Sequence, residues 1–140
     1  MPTEPTPEAL TVFEREPFMS LTTFRRNGEG VPTPVWVVRD GDALLVTTVD
    51  GTGKVRRLRR DDRVELVPCS RGGKVAPDAP RFTGRAEVLT EPSDVQHVRD
   101  LLAPKYGLQF RLVTLLERLP RKNPRARVGL RVTPDATQNA

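Results

Sequence analysis

Two cations three positions apart, Lys54 and Arg57, follow a glycine-bracketed threonine in the segment GTGKVRRLRR, residues 51–60. At that spacing on a helix the two side chains share one face, while Val55 and Leu58, also three apart, share a neighbouring face and can turn inward. The first turn of a helix leaves backbone N–H groups without intrahelical acceptors, and such groups favour an anion. Gly51 and Gly53 let the backbone turn sharply and approach a ligand closely, and Thr52 adds a hydroxyl. The chemistry on offer is capture of a single phosphate, with Lys54 as a point charge and Arg57 as a planar two-pronged donor. Arg56, Arg59 and Arg60 are left outward, with Asp61 and Asp62 as prospective partners. A second reading of the same run is a solvated helix face, since charges ordinarily lie outside.

Several other chemistries are disfavoured. A Walker loop needs four residues between its glycines and a Ser or Thr after the lysine, where this chain has Val55, so nucleotide hydrolysis is not expected. One cysteine, Cys69, and one histidine, His97, rule out an internal disulfide and make a soft-ligand metal site hard to build. A lone histidine also leaves no Ser-His-Asp set to assemble. Cys69 reads as a small buried hydrophobe at a strand end, and His97 as a surface or boundary residue. A formal net charge of +5 suits an anionic partner, but with 5% aromatic residues there is no basic-aromatic platform for stacking bases, which argues against nucleic acid. No apolar run approaches the roughly 20 residues that cross a bilayer. The opening MPTEPTPEAL is acidic and proline-rich where a secretory signal is basic and then apolar, so a reducing, cytoplasmic location is expected.

The elements that must position these cations are mostly strands. FMSLTTF (18–24), TPVWVV (33–38), ALLVTTV (43–49), RVELVPC (63–69), RFTGRAEVL (81–89) and RARVGLRVTP (125–134) predict six. Asn27-Gly28, Asp40-Gly41 and Gly72-Gly73 mark turns between neighbours, and Asp40-Gly41 can supply the positive φ of a tight hairpin. Val95, Val98, Leu101 and Leu102 share a helical face, with Pro92 near the start of that helix and Pro104 closing it. The stretch YGLQFRLVTLLERL (106–119) carries an apolar stripe from Phe110 to Leu119 that is too broad for a helix meeting only its own barrel, so part of it is expected to meet a partner chain. At 140 residues the chain suits one domain, placed at 15–134 between a loose tail, 1–14, and a short terminal tail, 135–140. The fold class is mainly β with accessory helices, a small six-stranded closed or split β-barrel that hides its sheet edges.

In this order, SLTTFRRNGEGVPTPVWVV, LLVTTVDGTGKVRRLRRDDRVELVPCSRGGKV, GRAEVL, KYGLQFRL and RVGLRVTP resemble the split-barrel flavin and deazaflavin proteins related to pyridoxamine 5′-phosphate oxidase. The likeness is greatest to the actinobacterial branch that uses coenzyme F420, and it spans about residues 15–134. The resemblance implies that Lys54 and Arg57 hold the cofactor phosphate. It also implies that the cofactor ring lies against the strands TPVW and VTT, which makes Pro34, Val35, Trp36, Thr47, Thr48, Thr52 and Gly53 the further cofactor-binding candidates. For Trp36 ordinary core packing is the plainer alternative. Lys105 and Tyr106 of KYG either line the neighbouring subunit's site or form a turn at Gly107.

What the resemblance implies about function is a homodimeric F420-dependent oxidoreductase with its site at the subunit interface, passing a hydride between the deazaflavin and a small electron-poor substrate. No dedicated catalytic residue is required, because the cofactor carries the chemistry. An FMN-dependent oxidase or reductase of the same fold, or a non-catalytic cofactor carrier, are the alternatives.

Overall fold

Period-two alternation becomes seven strands and two helices in the computed structural model, which describes residues 11–12, 14–107 and 127–135. In chain order these are β1 (Met19–Phe24), β2 (Gly30–Val35), β3 (Val37–Asp40), β4 (Ala43–Val49), α1 (Gly53–Arg60), β5 (Arg63–Pro68), β6 (Phe82–Leu89), α2 (Pro92–Tyr106) and β7 (Arg127–Pro134). All pairings are antiparallel, and the sheet order is β2-β1-β5-β6-β7-β4-β3. The last strand therefore returns to the middle of the sheet and lies between β6 and β4.

The two outer strands, β2 and β3, are consecutive in the chain and joined by Trp36 alone. One residue can link opposite edges of a sheet only if the sheet is curled so that those edges meet. The fold is thus a curled antiparallel barrel of the split type. Its second sequence-predicted strand is broken at Trp36, which turns six expected strands into seven segments. The β3–β4 hairpin has Gly41 and Asp42 as its two central residues; Gly41 alone takes positive φ, +62°, as expected where glycine leads a two-residue loop.

Alternation sorts the side chains into two clusters. Met19, Leu21, Val35, Val37, Leu44, Val46, Leu66 and Leu130 fill the barrel, and Leu58 of α1 is packed among them. Leu45, on the opposite face of β4, joins Leu89, Val98, Leu102 and Tyr106 beneath α2, with Trp36, Val38 and Leu101 packed against them. Strand β4 is buried on both faces, which accounts for its almost unbroken apolar run. Val12, within the stretch expected to be a tail, is buried in the barrel cluster.

Helix α2 does not stop at Pro104. The proline forfeits one helical hydrogen bond, yet the four-residue spacing of Val98, Leu102 and Tyr106 carries the buried stripe one turn further. Gly107, with φ +54°, ends it by donating its N–H to Ala103 O at 2.8 Å. The expected apolar stripe from Phe110 to Leu119 lies outside the described residues.

Candidate functional site

Helix α1 lies against β1 and β6, held inward by buried Val55 and Leu58. The sorting expected from the sequence is therefore present, and it leaves Lys54 and Arg57 on the neighbouring face. Neither is solvated in the manner of a surface cation. Lys54 Nζ donates to Thr48 Oγ1 at 2.9 Å, and Arg57 Nε donates to Thr23 Oγ1 at 2.7 Å. Thr48 and Thr23 are buried, on strands β4 and β1, which are not neighbours in the sheet. The helix is therefore fastened to two separated strands by two cations and two hydroxyls.

Among the described residues neither cation has a carboxylate partner. The outlying charges behave differently: Arg59 pairs with Asp50 at 3.0 Å, Arg63 with Asp61 at 2.8 Å and Arg85 with Asp62 at 2.6 Å, while Arg60 Nη2 donates to Phe24 O at 2.6 Å. Asp61 and Asp62 thus serve strand arginines and not, as expected, the arginines of α1. Arg63 lies only two residues from Asp61, and the pairing of Arg85 with Arg63 across β5 and β6 brings Arg85 to Asp62.

Electrostatics sets the pair apart. Burial, then the nearby positive charges of Arg127 and Arg57, pushes the Lys54 ammonium below its ordinary pKa. Arg57 is lowered by burial and by Arg25, Arg56 and Arg60. A depressed lysine weakens the fold while it is charged, and that cost is relieved as pH rises through its lowered pKa. An anion between these groups offsets the same cost at neutral pH. The start of α1 adds to the positive field, since it has no acidic residue in its first turn and Thr52 makes no side-chain cap. Thr52 Oγ1 instead donates to Val49 O at 3.1 Å.

The other expected residues divide between two faces of the barrel wall. Thr48 points with Leu44 and Val46 toward the interior, and Thr47 points outward with Leu45. Thr47 Oγ1 is buried and has no hydrogen-bond partner among the described residues. Trp36 packs against the cluster that holds Leu45 and Tyr106. Trp36 is stacked on Tyr106, ring centroids 4.8 Å apart and planes inclined by 16°. Pro34 is exposed next to the Gly73 turn, and Val35 is buried in the barrel, which leaves only its backbone for a ligand. Thr48, which takes the bond from Lys54, and Thr47, on the side of Leu45, Trp36 and Tyr106, therefore face opposite sides of the barrel wall.

Lys105 and Tyr106 form the last turn of α2. Lys105 Nζ donates to Glu16 O at 3.0 Å and Val37 O at 2.8 Å. The Tyr106 hydroxyl accepts from Val37 N at 2.9 Å and donates to Pro17 O at 2.6 Å. Both residues fix the corner at which the chain crosses from β2 to β3. Thr23 is the site residue that sequence reasoning missed; its only signal was a polar position on the inward face of β1. Cys69 is a free thiol whose pKa is raised by burial, the opposite of an activated nucleophile. His97 Nε2 lies 3.2 Å from Asp40 Oδ2 at the surface. No group of three metal-ligating side chains occurs among the described residues, and none of their helices is long and apolar enough to cross a membrane.

A family model described as pyridoxamine 5′-phosphate oxidase matches residues 5–139. No curated protein matches by sequence. Among solved structures, an F420 reductase is 21% identical, with 90% of this chain and 92% of that one aligned at a TM-score of 0.60. A conserved hypothetical protein from Mycobacterium tuberculosis is also 21% identical, over 91% and 78% of the chains, at a TM-score of 0.67. A heme storage protein from Vibrio cholerae is 15% identical, over 96% and 92%, at a TM-score of 0.65. At these identities the likeness is one of fold.

Proposed function

Since this chain belongs to the pyridoxamine 5′-phosphate oxidase family, we propose that it is an oxidoreductase that binds coenzyme F420 through the cations of α1. The observation that carries the proposal is the pair Lys54 and Arg57, half-buried, held among the described residues by threonine hydroxyls and set at an uncapped helix start. Charges so placed are costly without an anion. The donor set suits a phosphate: an ammonium, a guanidinium and the N–H groups of the first turn all belong to one short helix. On the other face of β4, Trp36 offers an aromatic surface, and the buried Thr47 hydroxyl has no hydrogen-bond partner among the described residues.

A bound deazaflavin supplies two-electron hydride chemistry toward an electron-poor double bond or imine. The chain's own residues then bind and orient. Lys54 and Arg57 anchor the phosphate, Tyr106 braces Trp36, and Lys105 and Tyr106 keep the strand corner rigid. The surplus cations of α1, Arg56 foremost because Arg59 and Arg60 have partners of their own, favour the longer polyanionic tail of F420 over FMN. The structural similarity to an F420 reductase supports the same choice.

Equilibrium titration of the purified protein with both cofactors, followed by absorption and fluorescence, is expected to give tighter binding for F420. A protein that purifies yellow with FMN and ignores F420 contradicts the assignment, and tight F420 binding with no turnover of any electron-poor acceptor makes it a carrier.

We extend the proposal to a homodimer sharing its sites across a two-fold axis, on the apolar stripe that the sequence carries from Phe110 to Leu119. Sedimentation is expected to give a dimer at micromolar concentration. A stable monomer that still binds cofactor contradicts the shared site.

A further inference from the structure

Gly53 has no conformational reason to be glycine. Gly28, Gly41, Gly51, Gly73 and Gly107 all take positive φ, but Gly53 does not; it opens α1 with a backbone any residue can adopt. Glycine there weakens the helix relative to alanine. The space above it is nevertheless taken. A Cβ built on Gly53 would lie 2.7 Å from Arg57 Nη1, 3.5 Å from its Cζ and 3.7 Å from Nη2, and these are the three nearest atoms. Residues four apart share a helix face, and helical side chains lean toward the N-terminus, so Arg57 folds back over the first turn. Its Nε is tied to Thr23 Oγ1 at 2.7 Å, which fixes where the guanidinium can lie.

We infer that Gly53 is a positioning residue: its missing side chain leaves the space that the Arg57 guanidinium, Nη1 foremost, takes over the start of α1, and that placement lets arginine, Lys54 and the free N–H groups face one anion. The inference rests on the phosphate reading of the site and deepens it. The role differs from the one expected of this glycine, close approach of the backbone to a ligand, because the neighbour it admits is the protein's own arginine. A methyl group at residue 53 meets the far end of a flexible side chain and no backbone, so it displaces the guanidinium without disturbing the fold.

The test is a double-mutant cycle with Gly53→Ala, Arg57→Ala and the two combined, reading inorganic phosphate affinity by calorimetry and thermal stability in parallel. Gly53→Ala is expected to melt at or above the wild-type temperature and to bind phosphate about fivefold or more weakly, with no further loss when added to Arg57→Ala. Equal weakening by Gly53→Ala in both backgrounds, or none while Arg57→Ala weakens binding, overturns the inference and leaves the phosphate site standing. Loss of the fold in Gly53→Ala also overturns it, because the space would then be needed by more than the guanidinium. If Arg57→Ala itself binds phosphate as tightly as wild type, the phosphate reading falls and the inference with it.

Discussion

Tyr106→Ala is expected to cost about 3–5 kcal/mol of folding stability, the range for truncating a large buried aromatic side chain, and Tyr106→Phe about 1–3 kcal/mol. The first figure is a large share of the roughly 5–15 kcal/mol that holds a domain together. Tyr106 is 9% exposed, and its ring carries the stack with Trp36. The second substitution keeps the ring and removes the hydroxyl that accepts from Val37 N and donates to Pro17 O. Pairing of β3 begins at Val37, so the buried N–H there loses its acceptor at the corner where the barrel changes edges. The two variants together separate packing from hydrogen bonding.

The same residue gives a pH signature. Burial raises the Tyr106 phenol from 10.0 to about 12. Below pH 10 it is protonated in folded and unfolded chains alike, and its contribution is intact. Between about pH 10 and 12 the unfolded chain ionises while the folded chain resists, so stability falls by an amount on the order of 2 kcal/mol. Tyr106→Phe lacks this loss. The gap between wild type and Tyr106→Phe in denaturant unfolding should therefore narrow as pH rises through that window, and a constant gap contradicts the account.

Much of this was legible locally. Alternation in FMSLTTF, ALLVTTV and RFTGRAEVL gave strands whose bounds move by a residue or less, because period two with one face buried leaves little choice of register. Asn27-Gly28 and Asp40-Gly41 marked their hairpins through glycine's access to positive φ. The break at Trp36 was not legible: TPVWVV reads as one strand, and only curling of the whole sheet divides it. Pro104 misled for a related reason. Proline disfavours helix continuation locally, while burial of Tyr106 at the end of a four-residue stripe favours it, and the tertiary contact wins.

The site follows the same division. Spacing alone placed Lys54 and Arg57 on a shared face and turned Val55 and Leu58 inward. Their acceptors, Thr48 and Thr23, come from separate strands, and Thr23 lies 34 residues from Arg57. No motif encodes such a pairing. The partners of Asp61 and Asp62 were misjudged because proximity to α1 was weighed above the strand that follows: Arg63 reaches back two residues to Asp61, and the β5–β6 pairing brings Arg85 to Asp62. Trp36 was expected either to touch a cofactor or to pack, and its stack on Tyr106 is the packing role.

The second large effect is on binding. If Lys54 holds the phosphate as proposed, Lys54→Ala removes a charge-assisted hydrogen bond worth about 1.5–3 kcal/mol and is expected to weaken F420 binding by about tenfold to a hundredfold. Low local solvation makes this loss larger than at an exposed lysine, since the same burial that depresses the Lys54 pKa reduces competition from water. Protonation of Lys54 is needed to hold the anion, so wild-type affinity should also decline as pH rises through its lowered pKa. The variant should lack that decline.

Arg59 provides the contrast that bears most directly on the central claim. It lies on the same helix with the same charge, but half-exposed and already paired with Asp50 at 3.0 Å. Cofactor affinity should be measured for wild type, Lys54→Ala and Arg59→Ala at low and at moderate salt, with folding checked by circular dichroism. A phosphate held at one place predicts a large loss for Lys54→Ala that survives moderate salt and a small one for Arg59→Ala that salt removes. Equal losses at the two positions, both erased by salt, would mean that α1 offers only a diffuse positive surface, and the assigned site would be wrong.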